Sequence, residues 1–385
     1  MINRKIIYLS FIRLTDKVSR DWYVDYCIKK GMEVEYWDVV SLVREKHEEK
    51  GALDVDYLRY INNYSELKSL IQQPQNKDAI YIMLISYSGR FSKPFRLLTK
   101  YDCKMVFISW GAMPIKASAS KFRLAAYRLF NNPLNFIFTT VSYILGNIYK
   151  KLNFVKKFDI VFVAGSELAS IDQYANKVVH FNLCDFDHYQ RVTAGKNRLV
   201  NSKYAVFLDI NLPYQSDLIT FGLPAVSPVS YFESLNCFFD LLENIYNIKV
   251  IIAAHPKSSY DNSEFKKRKI YRLLTAELVK DAEFVITHTS TALSYAVLNY
   301  KPTLFIYTNE MLKIYKNSIM REIHELASYL NMDMYNIDKL TDIKNINIKK
   351  PSKKYYDLYK YRFLTSKESE NLTSSEIFWR EISKI

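Results

Sequence analysis

Two short segments of the chain carry residue types and spacing that could do chemistry. The first is Val250 to Ala254 followed by His255 and Pro256, an apolar strand that must stop at the histidine because Pro256 has no N–H to continue a ladder. In open α/β sheets ligands bind beyond the carboxyl ends of the strands, so a histidine there is presented to whatever binds. A structural role also fits a strand-end histidine, and with six histidines in the chain one can fall there by chance. The second segment, Phe284 to Ala296, passes through Thr287, Thr289, Ser290 and Thr291. Ser290 or Thr291 can cap the helix that follows, and the free N–H groups and positive dipole end of a helix attract an anion. Capping alone would also account for these hydroxyls. Two neighbouring parallel strands are expected here, setting an imidazole and a hydroxyl-capped helix start on one rim, as binding a phosphate or diphosphate requires. Lys301 and Pro302 then open the next strand.

These residues need a sheet to position them. Lys5 to Ile12 reads as a strand, Asp16 to Lys30 as a helix ended by Gly31, and Glu33 to Trp37 as the strand completing a β-α-β unit. Apolar runs at Ala79 to Ile85, Cys103 to Ser109, Phe158 to Ala164 and Lys177 to Asn182 extend a parallel sheet. A second series follows the polar stretch Thr193 to Ser202, taken as a linker. Its strands are Tyr204 to Asp209, Lys249 to Ala254, Phe284 to Thr287 and Pro302 to Tyr307, with helices at Ser230 to Tyr246, Tyr271 to Lys280 and Ala292 to Asn299. At 385 residues the chain exceeds what one core organises. The expected fold is α/β, with two Rossmann-like doubly wound domains at residues 1–195 and 203–350. A helical tail at 351–385 has two helical stretches, one of which can cross back to brace the first domain.

Composition narrows the class. The chain is 49% apolar with 31 Tyr and 23 Phe, and has only 8 Gly and 10 Pro, so it should fold throughout. Its formal charge of +14 suits an anionic partner. Runs such as Lys266 to Lys269 and Lys349-Lys350 lack any nucleic-acid signature, so an anionic membrane surface is the expected partner and nucleic acid is not. Cys27, Cys103, Cys184 and Cys237 form no CxxC pair, which argues against a zinc or dithiol site and fits a reducing compartment. The opening residues run directly into a strand rather than a secretory apolar region, so a cytoplasmic location is expected. The segment Pro133 to Tyr149 is apolar but interrupted by Asn135, Gly146 and Asn147 and sits at the lower edge of a spanning length, so it is not read as transmembrane. Lys121, Arg123 and Arg128 precede it and Lys150, Lys151, Lys156 and Lys157 follow it. It reads either as an amphipathic element lying on the inner face of a cytoplasmic membrane or as a buried core helix with basic ends.

The pair His255-Pro256, then Ser290-Thr291, then Lys301-Pro302, resembles the donor half of GT-B glycosyltransferases of bacterial surface polysaccharide synthesis. It is most similar to HP-motif sialyltransferases and to capsule or lipopolysaccharide Kdo transferases, over residues 204 to 307. The resemblance implies two domains facing a cleft and a nucleotide-sugar donor, with the phosphate of a CMP-sugar held by His255, Pro256, Ser290 and Thr291. It implies a glycan or glycolipid acceptor in capsule, O-antigen or lipopolysaccharide synthesis, and no cofactor.

An inverting transferase of this kind needs a carboxylate to take the acceptor proton. The candidate is Asp209, after Tyr204 to Leu208, with Asp217 as the substitute. Asp209, Ile210 and Asn211 depart from the family's acidic-acidic-glycine motif, and a turn cap is the other role open to Asp209. In the first half, Gly111 and the pair Gly165-Ser166 close strands and belong to the acceptor side, although loop geometry alone would explain both glycines. Asp185-Phe186-Asp187 and Asp54-Val55-Asp56 match the D-x-D pattern of metal-dependent transferases, a pattern short enough to recur by chance. No metal is expected, since His255, the helix dipole and hydroxyls can neutralise a leaving phosphate. The Glu-x7-Glu spacing of retaining enzymes falls at Glu368 and Glu376, in the tail, so inversion is preferred. The rival readings are a UDP-sugar hexosyltransferase, a polyol-phosphate transferase or sugar-nucleotide epimerase, and a non-catalytic basic protein that binds membrane or nucleic acid.

Overall fold

The computed structural model describes residues 5–42, 52–109, 113–114, 133–167, 174–195, 198–215, 224–261, 263–340 and 346–385. The chain divides into two units, one of Met1–Gly111, Ala117–Phe181 and Glu368–Ile385, the other of Ala112–Lys116 and Asn182–Lys367.

In the first unit β1 (Lys5–Ser10), β2 (Glu33–Asp38), β3 (Leu58–Tyr60), β4 (Ile80–Leu84), β5 (Lys104–Ser109), β6 (Phe158–Ala164) and β7 (Ala175–Phe181) form one sheet. Their order is β3-β2-β1-β4-β5-β6-β7, with every pairing parallel. In the second unit β8 (Tyr204–Leu208), β9 (Lys249–Ala254), β10 (Ile270–Arg272), β11 (Phe284–Thr287), β12 (Thr303–Tyr307) and β13 (Met334–Asn336) run β10-β9-β8-β11-β12-β13, again all parallel. Central strands such as Tyr204–Leu208 and Ile80–Leu84 are buried along their whole length. A parallel sheet covered by helices on both faces demands such unbroken apolar runs, which is why these strands were visible in the sequence. The expected fold class, two doubly wound α/β units, is the one observed.

Several local expectations need correction. The helix expected from Asp16 to Lys30 breaks at Tyr23, which sits in the left-handed region at φ 63°, giving Asp16–Asp21 and Val24–Lys29. Gly31 (φ 79°) stops the second piece as anticipated. The segment from Tyr271 begins as edge strand β10, and its helix is only Thr275–Asp281. The Cys184–Ala194 helix packs on the Thr275–Asp281 and Leu293–Leu298 helices, so the division falls at Phe181/Asn182 and the stretch 193–202 lies inside the second unit. The tail splits as well. The Lys353–Tyr359 helix belongs to the second unit, whereas the Ser374–Ile382 helix braces the first. Phe378 there lies 5.1 Å from the Tyr23 ring and 5.2 Å from Phe162, and Glu381 pairs with Lys177 at 2.6 Å. Glu376 is taken up in a capping box with Thr373.

The apolar segment forms a single helix, Pro133–Lys151, and among its residues of described burial Gly146 alone is buried. It is therefore no core helix. Among the described residues no helix is long and apolar enough to cross a membrane. It rests on the Gly89–Phe91 turn through a glycine-to-glycine approach. A Cβ on Gly89 would overlap the Ser142 carbonyl, and one on Gly146 would lie 2.9 Å from the Gly89 nitrogen. Tyr87 OH donates to the Gly146 carbonyl at 2.7 Å across the same contact. Gly89→Ala is expected to lift the helix off its seat at a cost of about 3 kcal/mol to the first unit, the upper end of overpacking effects. Hydrogen exchange should then quicken in 133–151, and unchanged protection would count against this account.

Candidate functional site

In the second sheet the chain leaves β8 toward β9 and β10 on one side and resumes with β11 on the other. The reversal point between β8 and β11 is the place along the carboxyl edge where sheets of this kind bind ligands. Asp209 follows β8, His255 follows β9, and His288 to Thr291 follow β11. β9 and β11 are not neighbours, contrary to expectation. β8 lies between them, so the two segments are about 10 Å apart at ordinary strand spacing.

Asp209 spans part of that gap. It is 4% exposed. Its Oδ2 accepts from the His255 backbone N–H at 3.1 Å and the Tyr260 hydroxyl at 3.0 Å, and its Oδ1 accepts from the Asn211 N–H at 2.8 Å. Burial pushes its carboxyl above the usual range, and these hydrogen bonds pull it partly back. A general base needs an oxygen open to the substrate hydroxyl. The geometry instead makes Asp209 the clamp of the His255 loop, the turn-cap alternative raised by its sequence. Asp217, like Gly111, lies outside the described residues.

His255 is half-buried. Its Nδ1 accepts the Lys257 N–H at 3.2 Å, which in the neutral ring puts the hydrogen on Nε2 and makes that atom a donor. Its carbonyl takes the Ser258 N–H and hydroxyl at 2.9 and 2.8 Å, closing a tight turn over exposed Pro256. After β11, Ser290 is half-buried and Thr291 exposed. The helix that follows is Leu293–Leu298, with Ala292 in the capping position and no side-chain cap. Ser290 Oγ accepts the Ala292 N–H at 3.2 Å, so it caps the turn before the helix rather than the helix itself. Six residues also make a weaker dipole than was anticipated.

Two supporting residues escaped sequence reasoning. Tyr260 holds both Asp209 and Asn211 Oδ1 within 3.0 Å. His288, wholly buried, has Nδ1 2.6 Å from the Ile306 carbonyl and Nε2 2.9 Å from Tyr231 OH. As a neutral ring it donates to the first and accepts from the second, tying the β11 loop to β12 and to the Pro228–Tyr246 helix. Burial depresses its pKa to about 4. The unfolded chain thus binds this proton more readily than the fold, so the stability it protects is present above pH 6.5 and lost as pH falls toward 4. The loss should reach about 3 kcal/mol. Urea midpoints should fall more steeply over that window in the wild type than in His288→Gln, and equal slopes would refute the assignment.

The D-x-D carboxylates are engaged elsewhere. Asp185 accepts from Ser294 Oγ at 2.5 Å and Tyr295 OH at 3.3 Å, and Asp187 is buried 3.4 Å from Asn182 Nδ2. Asp54 and Asp56 are exposed. Among the described residues no group of three His, Cys, Asp or Glu is placed to hold a metal ion.

The first sheet has its own reversal between β1 and β4. A crevice of about 450 Å³ there is lined by Ile12, Lys17, Trp22, Leu84, Ser86 and Phe107 among others. Gly165, at φ 73°, closes β6, and its carbonyl lies 2.7 Å from His180 Nδ1 on β7. That backbone conformation accounts for the glycine, and Ser166 beside it is exposed.

No protein-family model and no curated protein matches this chain. Solved structures match it at low identity. The UDP-GlcNAc 2-epimerase of Methanocaldococcus jannaschii, in complex with UDP-GlcNAc and UDP, is 12% identical over 99% of both chains, with a TM-score of 0.45. The wall teichoic acid polymerase TagF is 11% identical over 99% of this chain and 89% of its own, with a TM-score of 0.49. The calicheamicin glycosyltransferase CalG4 is 10% identical over 88% and 87%, with a TM-score of 0.43. The fold class rests on the two strand orders themselves.

Proposed function

We propose that this chain is an inverting, metal-independent glycosyltransferase of GT-B type. It moves a sialic-acid-like or Kdo-like sugar from a CMP donor to a glycan or glycolipid acceptor in bacterial capsule, O-antigen or lipopolysaccharide synthesis. It works peripherally at the inner face of the cytoplasmic membrane. The observation that carries the reading is the set of residues on one carboxyl edge: a histidine whose Nδ1 is occupied, so that Nε2 is the donor, and a hydroxyl-bearing turn across the reversal point. That equipment suits a departing phosphate.

In this reaction the acceptor oxygen bonds to the anomeric carbon as the bond to the nucleotide phosphate oxygen breaks. The leaving phosphate takes a hydrogen bond from His255 Nε2 and hydrogen bonds from Ser290 and Thr291. The acceptor proton goes to a carboxylate. With Asp209 committed to its clamp, Asp217 is the remaining candidate from the sequence. The crevice of the first sheet suits the acceptor.

A thermal-shift screen of CMP, UDP, GDP and CDP, followed by hydrolysis of the matching sugar donors in the presence of EDTA, tests the reading. A cytidine monophosphate ligand at 100 times its dissociation constant should stabilise the protein by about 2.7 kcal/mol. Preference for UDP would point to a hexosyltransferase or epimerase. Stabilisation by none of the four, together with binding to polyanions that collapses with salt, would end the enzymatic reading.

A further inference from the structure

The first unit holds a cavity of about 660 Å³ between the Tyr64–Gln72 and Ser92–Lys100 helices. Lys68, Lys93, Arg96 and Lys100 line it, with Tyr64 and Phe154, and no carboxylate lines it among the described residues. All four cations are exposed. Three of them lie over aromatic rings: Lys93 lies 4.8 Å from the Tyr64 centroid, Arg96 lies 4.5 Å from Tyr149, and Lys100 lies 6.0 Å from Tyr101. Four positive charges in a groove that no carboxylate lines among the described residues focus a potential that favours a multivalent anion.

What sits beside this groove selects the kind of anion. Phe154 lines the groove and is half exposed, and the surface continues through Leu152 (60% exposed), Ile148 and Ile144 (51%) along the Pro133–Lys151 helix. At 19 residues that helix is about 28 Å long, and its end bears Lys150 and Lys151. An outward apolar face flanked by cations is the design of a helix lying in a bilayer interface. Nucleic acid would account for the cations but not for the apolar face.

We propose that the groove seats the phosphate headgroup of an anionic membrane lipid while the outer face of the Pro133–Lys151 helix enters the acyl layer. This rests on the membrane-surface part of the proposed function and is independent of the donor site.

The test is flotation of the full-length protein with phosphatidylcholine vesicles, with and without phosphatidylglycerol. The wild type should partition strongly onto the anionic vesicles. Lys68→Gln with Lys100→Gln, checked for an unchanged melting curve, should lower that partitioning about 30-fold, the factor two adsorbed cations are worth together. Ile144→Glu with Ile148→Glu should abolish binding to both vesicle types. Inorganic pyrophosphate at fixed ionic strength should release the wild type and raise its melting temperature, but should not stabilise the double-glutamine variant. Anionic preference surviving intact in that variant overturns the headgroup site while leaving membrane binding standing. A wild type that floats with neither vesicle removes the reading beneath it. Pyrophosphate binding without vesicle binding would assign the groove to a free phosphate, against the proposal. A dimer that the double-glutamate variant breaks, with vesicle binding unaltered, would make the helix face a self-interface and overturn it equally.

Discussion

His255→Ala is expected to lower turnover about 100-fold, with the melting temperature unchanged. Loss of one donor to a developing negative charge costs 10²–10³ in rate, about 2.7 kcal/mol or more of barrier. The fold should tolerate the change because the loop is held by the His255 backbone N–H on Asp209, which alanine retains. Substrate binding should change less than turnover, since the hydrogen bond strengthens as charge builds on the leaving oxygen. His255→Gln, which keeps a donor without a proton to give, should recover part of the loss. Initial rates of donor hydrolysis at saturating donor are the measurement. Rates equal to wild type in a folded alanine variant would remove His255 from the chemistry.

Asp209→Ala should lower stability by about 4 kcal/mol, because it strands the His255 N–H, the Asn211 N–H and the Tyr260 hydroxyl in a buried place. Hydrogen bonds to a charged group are worth about 1.5–3 kcal/mol each, and buried donors left unpaired are costly. Asp209→Asn distinguishes a clamp from a base. An asparagine must turn its NH₂ toward one of the two backbone donors, so a clamp predicts that melting temperature and activity fall together. A base predicts an intact melting curve with no activity. Tyr260→Phe removes one arm of the same network and should reproduce a fraction of the clamp effect, whereas it should leave a base unharmed. Chemical denaturation read alongside turnover for the three variants decides between them.

The central strands were legible because burial on both faces writes itself as continuous apolar sequence, as in Tyr204 to Leu208 and Val250 to Ala254. The three short edge strands were not, although the longer edge strand β7 was. Leu58–Tyr60, Ile270–Arg272 and Met334–Asn336 have three residues each and are partly or fully exposed, so neither a run nor an alternation marks them. The break at Tyr23 left no glycine or proline as a signal. At the candidate site, Asp209, His255 and Ser290 were found from their positions at strand ends, and the structure puts all three at one carboxyl edge. Their adjacency was misjudged because chain order runs β9, β10, β11 while sheet order inserts β8. The supporting contacts were invisible for another reason. Tyr260 reaches back 51 positions to Asp209, and Tyr231 reaches 57 positions to His288, and single residues at such separations carry no local pattern.

The way the sheets finish has a practical consequence. Three of their four open edges are three-residue strands, two of them carrying an arginine, Arg59 and Arg272, and the fourth, β7, is braced by the Ser374–Ile382 helix. Edges so short and charged give an incoming chain little to template on, so β-type self-association is blocked at its source. Self-association in concentrated solution, if it occurs, should therefore arise at the Pro133–Lys151 helix, and mild detergent rather than denaturant should disperse it.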